Sequence, residues 1–195
     1  MRMTIPTKHY GRQAALFGLA ACGIYLLMIY ITLAHIEALS GLRPFDMRPS
    51  GYSAEQANSL LTALGSSGRR YYLTRQIPPD LAYPALMALT LVSLLKWLGS
   101  RGANHKLIQT GIWFSIGAAI ADYLENVGIC LMILSWSETS ANTVLAASVA
   151  SIVKSGLTMA AVLTVLLVAV FWAFKRIRSY ARLMPAEGPI GKHIF

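Results

Sequence analysis

Four long apolar runs divide the chain, at residues 14–36, 81–98, 107–134 and 143–174. Each approaches or exceeds the roughly 20 residues that a helix needs to cross a bilayer. Arg2, Lys8 and Arg12 ahead of the first run would suit a signal peptide. The apolar core of such a peptide is only about 7–15 residues long, so the first run reads as a retained span. Within it Ala14, Gly18 and Cys22, four apart, predict a small-residue seam where a second helix comes close.

The polar segment 37–79 separates the first two runs. Pro44 and Pro49 predict irregular chain over 42–50. Ser53 followed by Gln56 has the form of a capping box, and Leu60, Leu61 and Leu64 give the helix that follows an apolar edge. Gly65 is a natural stop, with a second short piece from Ser67 through Tyr72. Pro78-Pro79-Asp80 is expected to break the chain and restart it, Asp80 capping the second span and Pro84 sitting in its first turn. The segment is too short and leucine-poor for a core of its own. It should lie on the membrane surface or cap the bundle.

The predicted fold is therefore an all-α integral membrane protein, a four-helix transmembrane bundle with a short helical extracytoplasmic segment between helices 1 and 2. Residues 1–183 form one domain and 184–195 a flexible cytoplasmic tail. Composition agrees: 55% of residues are hydrophobic and 13% charged, against about 25% charged in soluble domains, and mean hydropathy is +0.53. The net charge of +9 fits the basic flanks of membrane spans. Aromatic residues are not interleaved with Lys and Arg as a nucleic-acid stacking groove requires, so no nucleic acid is expected. Eleven Lys and Arg fall in the amino terminus, around the 99–106 turn and in the tail, against five in the 37–79 loop and none in 135–142. Both termini should be cytoplasmic, in a setting such as the bacterial inner membrane. Cys22 and Cys130 fall at different depths and read as unpaired packing residues.

Candidate chemistry lies inside the spans. Asp122, Glu125 and Asn126 share one side of the third helix, and polar groups in hydrocarbon must face protein, water or a ligand. At about 1.5 Å per residue, Asp122 and Glu125 lie roughly 20 and 15 Å below the outer end of their span, and Lys154 of the antiparallel fourth span roughly 16 Å. The depths match, so Lys154 should pair with these acids. One reading is a staple holding two helices in register. The other is a site, because two carboxyls for one lysine leave one free to carry a proton. Asp122 and Glu125 are then the candidate catalytic groups. Asn126, Lys154, Asp80, Tyr83, Arg69, Arg70 and His35 are candidate ligand contacts, the two arginines as forks for lipid phosphate or as part of an amphipathic surface.

No spans carry matched histidines for haem, and C-x-x-C, H-E-x-x-H, G-x-S-x-G and P-loop patterns are absent. Lys154 would oppose a hard cation beside Asp122, so no metal or other cofactor is expected. The leading functional expectation is a buried polar pocket that binds an amphipathic or lipid-like molecule, with or without transforming it. The alternatives are an accessory subunit of a larger membrane complex, or a homo-oligomer, in which the ion pair is structural, and a proton-coupled transport element.

Overall fold

The structure, a computed structural model, describes residues 8–183. Arg2 and the tail at 184–195 lie outside the described residues. Every regular element among the described residues is helical: α1 (Lys8–Leu27), α2 (Leu33–Ser40), α3 (Ala54–Tyr71), α4 (Ile77–Gly99), α5 (His105–Leu134) and α6 (Ala141–Leu183), with a short 3-10 turn at Phe45–Met47. Four helical stretches, His9–Ser40, Ala54–Gly99, His105–Leu134 and Ala141–Arg178, are long and apolar enough to cross a membrane.

The first stretch is α1 and α2 joined end to end by a π-turn, Met28–Thr32. It stops at Gly41, whose φ of 68° is left-handed and whose N–H returns to Glu37 O at 2.8 Å. A strap, residues 41–53, leads on to α3. There the capping box forms as expected: Ser53 Oγ accepts from the Gln56 N–H and Gln56 Oε1 accepts from the Ser53 N–H. Gly65, at φ 61° and ψ −174°, breaks helical geometry at the expected stop.

The chain differs from expectation at Pro78-Pro79. It does not break there: a second π-turn, Tyr72–Gln76, carries α3 directly into α4. A proline normally clashes with the carbonyl four residues back. The wider π-turn displaces those carbonyls, so both prolines enter the first turn of α4. Asp80 consequently sits inside the helix and not at its cap.

α5 runs along α6, α1 runs along α4, and α4 also touches α5 and α6, while α1 and α6 barely meet. α5 and α6 approach closely at Gly128, where an added Cβ would stand 2.5 Å from Ala147 Cβ. The seam of α1 is also real, but it comprises Gly11, Ala14, Gly18 and Ala21 against α4, with Gly18 facing Thr90 and Gly11 facing Trp97. Cys22 is exposed and not a packing residue, because a helix drifts off a strict four-residue spacing.

Two apolar clusters fill the bundle. One joins Leu91, Leu95 and Leu98 to Ile108, Val165 and Val168. The other unites Leu60, Leu61 and Leu64 of α3 with Phe45, Tyr72, Ile36, Ile129 and Met132. The 37–79 segment thus caps one end of the bundle, and its leucines complete a shared core. Between the clusters lies a polar layer.

Candidate functional site

The polar layer begins with the expected ion pair. Lys154 Nζ lies 3.1 Å from Asp122 Oδ1 and also contacts the Glu125 carboxylate. The Ser151 hydroxyl, one turn before Lys154, donates to Glu125 as well. Glu125 is 1% exposed, so an ammonium and a hydroxyl offset the loss of its hydration. Both carboxyls come from one face of α5 and both donors from one face of α6, as the spacing required.

A second group of polar residues converges from outside this helix pair. Asp46 stands in the 3-10 turn of the strap. The Tyr72 hydroxyl donates to Asp46 Oδ2 and accepts from the Phe45 N–H at 3.1 Å. Gln76 Nε2 donates to Asp46 Oδ1 at 3.3 Å and faces Met28 Sδ, while Gln76 Oε1 accepts from the Thr32 hydroxyl. The two π-turns therefore meet through Gln76, and the second of them holds Asp46 in place. π-Turns are uncommon, and they cluster at functional sites. The far end of the strap is tied to α6, where Ser148 Oγ accepts the Tyr52 N–H at 2.8 Å. Burial, with the Glu125 charge acting in the same direction, pushes the Tyr52 phenol above its ordinary range.

Asp80 completes the group. It is 3% exposed, and its Oδ2 has no hydrogen-bond partner. Asn126 Nδ2 donates to the Asp80 main-chain carbonyl at 3.3 Å, leaving Asn126 Oδ1 unpartnered. Buried polar atoms are seldom left this way.

Asp46, Asp80, Asp122 and Lys154 line an open cavity of about 650 Å³ in the gap between the first helical stretch and α6. Tyr25, Met28, Ile29 and Leu33 form one wall and Met159, Val162 and Leu163 the other. Asp80, Tyr83, Asp122 and Lys154 form the floor, and the strap covers it with Arg43, Asp46, Met47 and Pro49. The Tyr25 and Tyr83 rings lie 5.8 Å apart beside the floor. Pockets of this size, apolar with a few converging polar groups, are typical of small-molecule sites.

Among the expected site residues, Asp122, Lys154, Asp80 and Tyr83 line the cavity. Asn126 supports Asp80 from behind. Glu125 lies outside the cavity lining, with its carboxylate engaged by Lys154 and Ser151. Arg69, Arg70 and His35 are elsewhere: Arg69 donates to Leu61 O at 2.6 Å and covers the Trp136 ring, Arg70 is exposed, and the exposed His35 ring stacks on Tyr71. Sequence reasoning missed Asp46, Gln76, Tyr72 and Tyr25. The one usable signal was Asp46 itself, the lone acid of a proline-bounded irregular stretch. Among the described residues no group of His, Cys, Asp and Glu is arranged to hold a metal.

Comparison with protein-family models, with curated proteins and with solved structures returns no match.

Proposed function

We propose that this is a multi-pass membrane protein, both termini cytoplasmic, that holds an amphipathic or lipid-like molecule in the cavity beneath the strap. The membrane setting is supported by the outward faces of the long helices, where Leu16, Leu19, Leu124, Leu166 and Phe171 are exposed. A soluble protein rarely exposes apolar surface on that scale. Orientation is supported by the excess of Lys and Arg at the termini and the 99–106 turn.

The observation that carries the binding reading is the division of the cavity itself. Its side walls are mainly apolar, with only Tyr25, Ser155 and Thr158 adding polar atoms, and its floor and cover carry three carboxyls, the Lys154 ammonium and the Arg43 guanidinium. A molecule with an apolar body and a polar head matches both parts. α1 and α6 barely meet, and Met159 and Leu163 of the cavity wall are exposed, which supports entry of such a molecule from the bilayer. Asp122 and Asp80 can reach a bound head, whereas Glu125 serves as the fixed counter-charge of Lys154.

A conducting role fits less well. Beyond Asp122 the interior closes in Leu91, Leu95, Ile108 and Val165, and the hydroxyls of Ser115 and Thr164 are spent on carbonyls of their own helices. Proton relays need a continuous polar path.

The test is extraction of the purified protein followed by mass spectrometry of what co-purifies. A stoichiometric amphiphile is expected in the parent and should be lost from Met159→Trp, which fills the wall. An equal lipid profile in both proteins would refute the reading.

A further inference from the structure

We infer that the head of the bound molecule is a protonated amine. This inference rests on the pocket reading above and specifies its ligand. Carboxyls outnumber basic groups at the polar end. Asp46, Asp80 and Asp122 line the cavity, with Glu125 directly behind Asp122. Against these four acids stands Lys154, already shared between Asp122 and Glu125. Arg43 also lines the cavity, but it is an exposed residue of the strap. A further positive charge at the floor would offset the repulsion among the acids, whereas an anionic head would add to it.

Hydrogen-bonding capacity points the same way. Asp46 is satisfied by Tyr72 and Gln76, and Asp122 by Lys154. Asp80 Oδ2 receives no donor from a neighbouring residue, and its buried side chain stands against the Asp46 carboxyl at the cavity. A carboxylate oxygen without a partner calls for a donor. An ammonium supplies N–H and charge together, and charge-assisted bonds of this kind are the stronger class. Tyr25 and Tyr83, set side by side, both line the cavity, and aromatic rings attract a nearby cation. A bare metal ion is a poorer match, since no described cluster of ligands would coordinate it and about 650 Å³ is far more room than it needs. The apolar walls then take the alkyl or ring body of the amine.

Tritiated dodecylamine, dodecanol and dodecanoate, which share one tail and differ in the head, distinguish the possibilities. Each is titrated against the full chain in maltoside micelles, with saturable binding read by scintillation proximity and folding checked by thermal melt. Dodecylamine should bind saturably and at least about tenfold more tightly than the other two. Asp80→Asn and, separately, Asp46→Asn should each weaken it by about tenfold or more while the protein stays folded. Met159→Trp should abolish it. Dodecanol or dodecanoate binding as tightly as the amine would overturn the amine assignment and leave the pocket reading standing. So would an amine affinity unchanged in both Asn variants but lost in Met159→Trp. Saturable binding by none of the three would overturn both.

Discussion

Lys154 and Asp122 face each other at 3.1 Å across the α5–α6 interface, with the Glu125 carboxylate on the same ammonium. One cation thus stabilises two acids in the interior. Removing it should strand both. Lys154→Met is expected to cost about 3–5 kcal/mol, the range for breaking a buried pair. Adding Glu125→Gln should recover part of that loss, and adding Asp122→Asn as well should recover most of it. Thermal melts of the four proteins in one detergent check the order. A triple variant no more stable than Lys154→Met would show that the loss comes from packing and not from stranded charge.

The strap should depend on a single glycine. Gly51 has φ 79°, and a Cβ there would stand 2.5 Å from Ser148 Oγ and 3.0 Å from Ile152 Cδ1. Gly51→Ala is expected to break the Tyr52–Ser148 tie at a cost of about 1–3 kcal/mol. Hydrogen exchange over 41–53 should rise sharply while α5 stays protected. Unchanged exchange in the strap would count against this anchoring.

Gln76→Leu removes the residue that joins both π-turns to Asp46. The Thr32 hydroxyl and one Asp46 oxygen then lose a partner, for about 1–3 kcal/mol. Because Tyr72 still holds the other oxygen of Asp46, the fold should persist while amine binding falls. Asp46→Asn combined with Gln76→Leu should weaken binding by less than the sum of the single changes, since both act on the same contact.

Gly128→Val tests the α5–α6 contact near the strap. The extra bulk would meet Ala147 Cβ and its Cα, at 2.5 and 3.2 Å from the first added carbon. Ala147 Cα is backbone and cannot swing aside, so α5 and α6 must separate. A loss of several kcal/mol is expected, about the scale of severe overpacking, with a large fall in melting temperature. Gly23→Val, where nothing lies within 4 Å, is the matched control and should differ little from the parent.

Tyr52 should mark the alkaline limit of the fold. Its phenol is raised by burial, so the neutral form is favoured in the folded state. Below the unfolded value of about 10 the phenol is neutral in both states and stability does not depend on it, but as pH rises through that value toward the raised folded one stability is lost. Tyr52→Phe should therefore change stability little at pH 7 and move the onset of alkaline unfolding upward. An onset that stays fixed would assign the alkaline transition to other groups.

Helix content, the capping box at Ser53 and the meeting of Lys154 with Asp122 and Glu125 were all determined by the sequence itself. These rest on one-dimensional quantities, apolar run length, local spacing and rise per residue, which a chain carries whatever its tertiary fold. The remainder of the site was decided only in three dimensions. Asp46 reaches the cavity because Tyr72 and Gln76, 26 and 30 residues further on, bond to it, and the strap stays down because Tyr52 bonds to Ser148, 96 residues away. No local pattern encodes the path of an irregular segment. Asp80 shows the same limit inside a helix. Its sequence neighbours suggest a cap, but a π-turn lets the helix run through two prolines, so the same carboxyl becomes the unpartnered acid on the cavity floor.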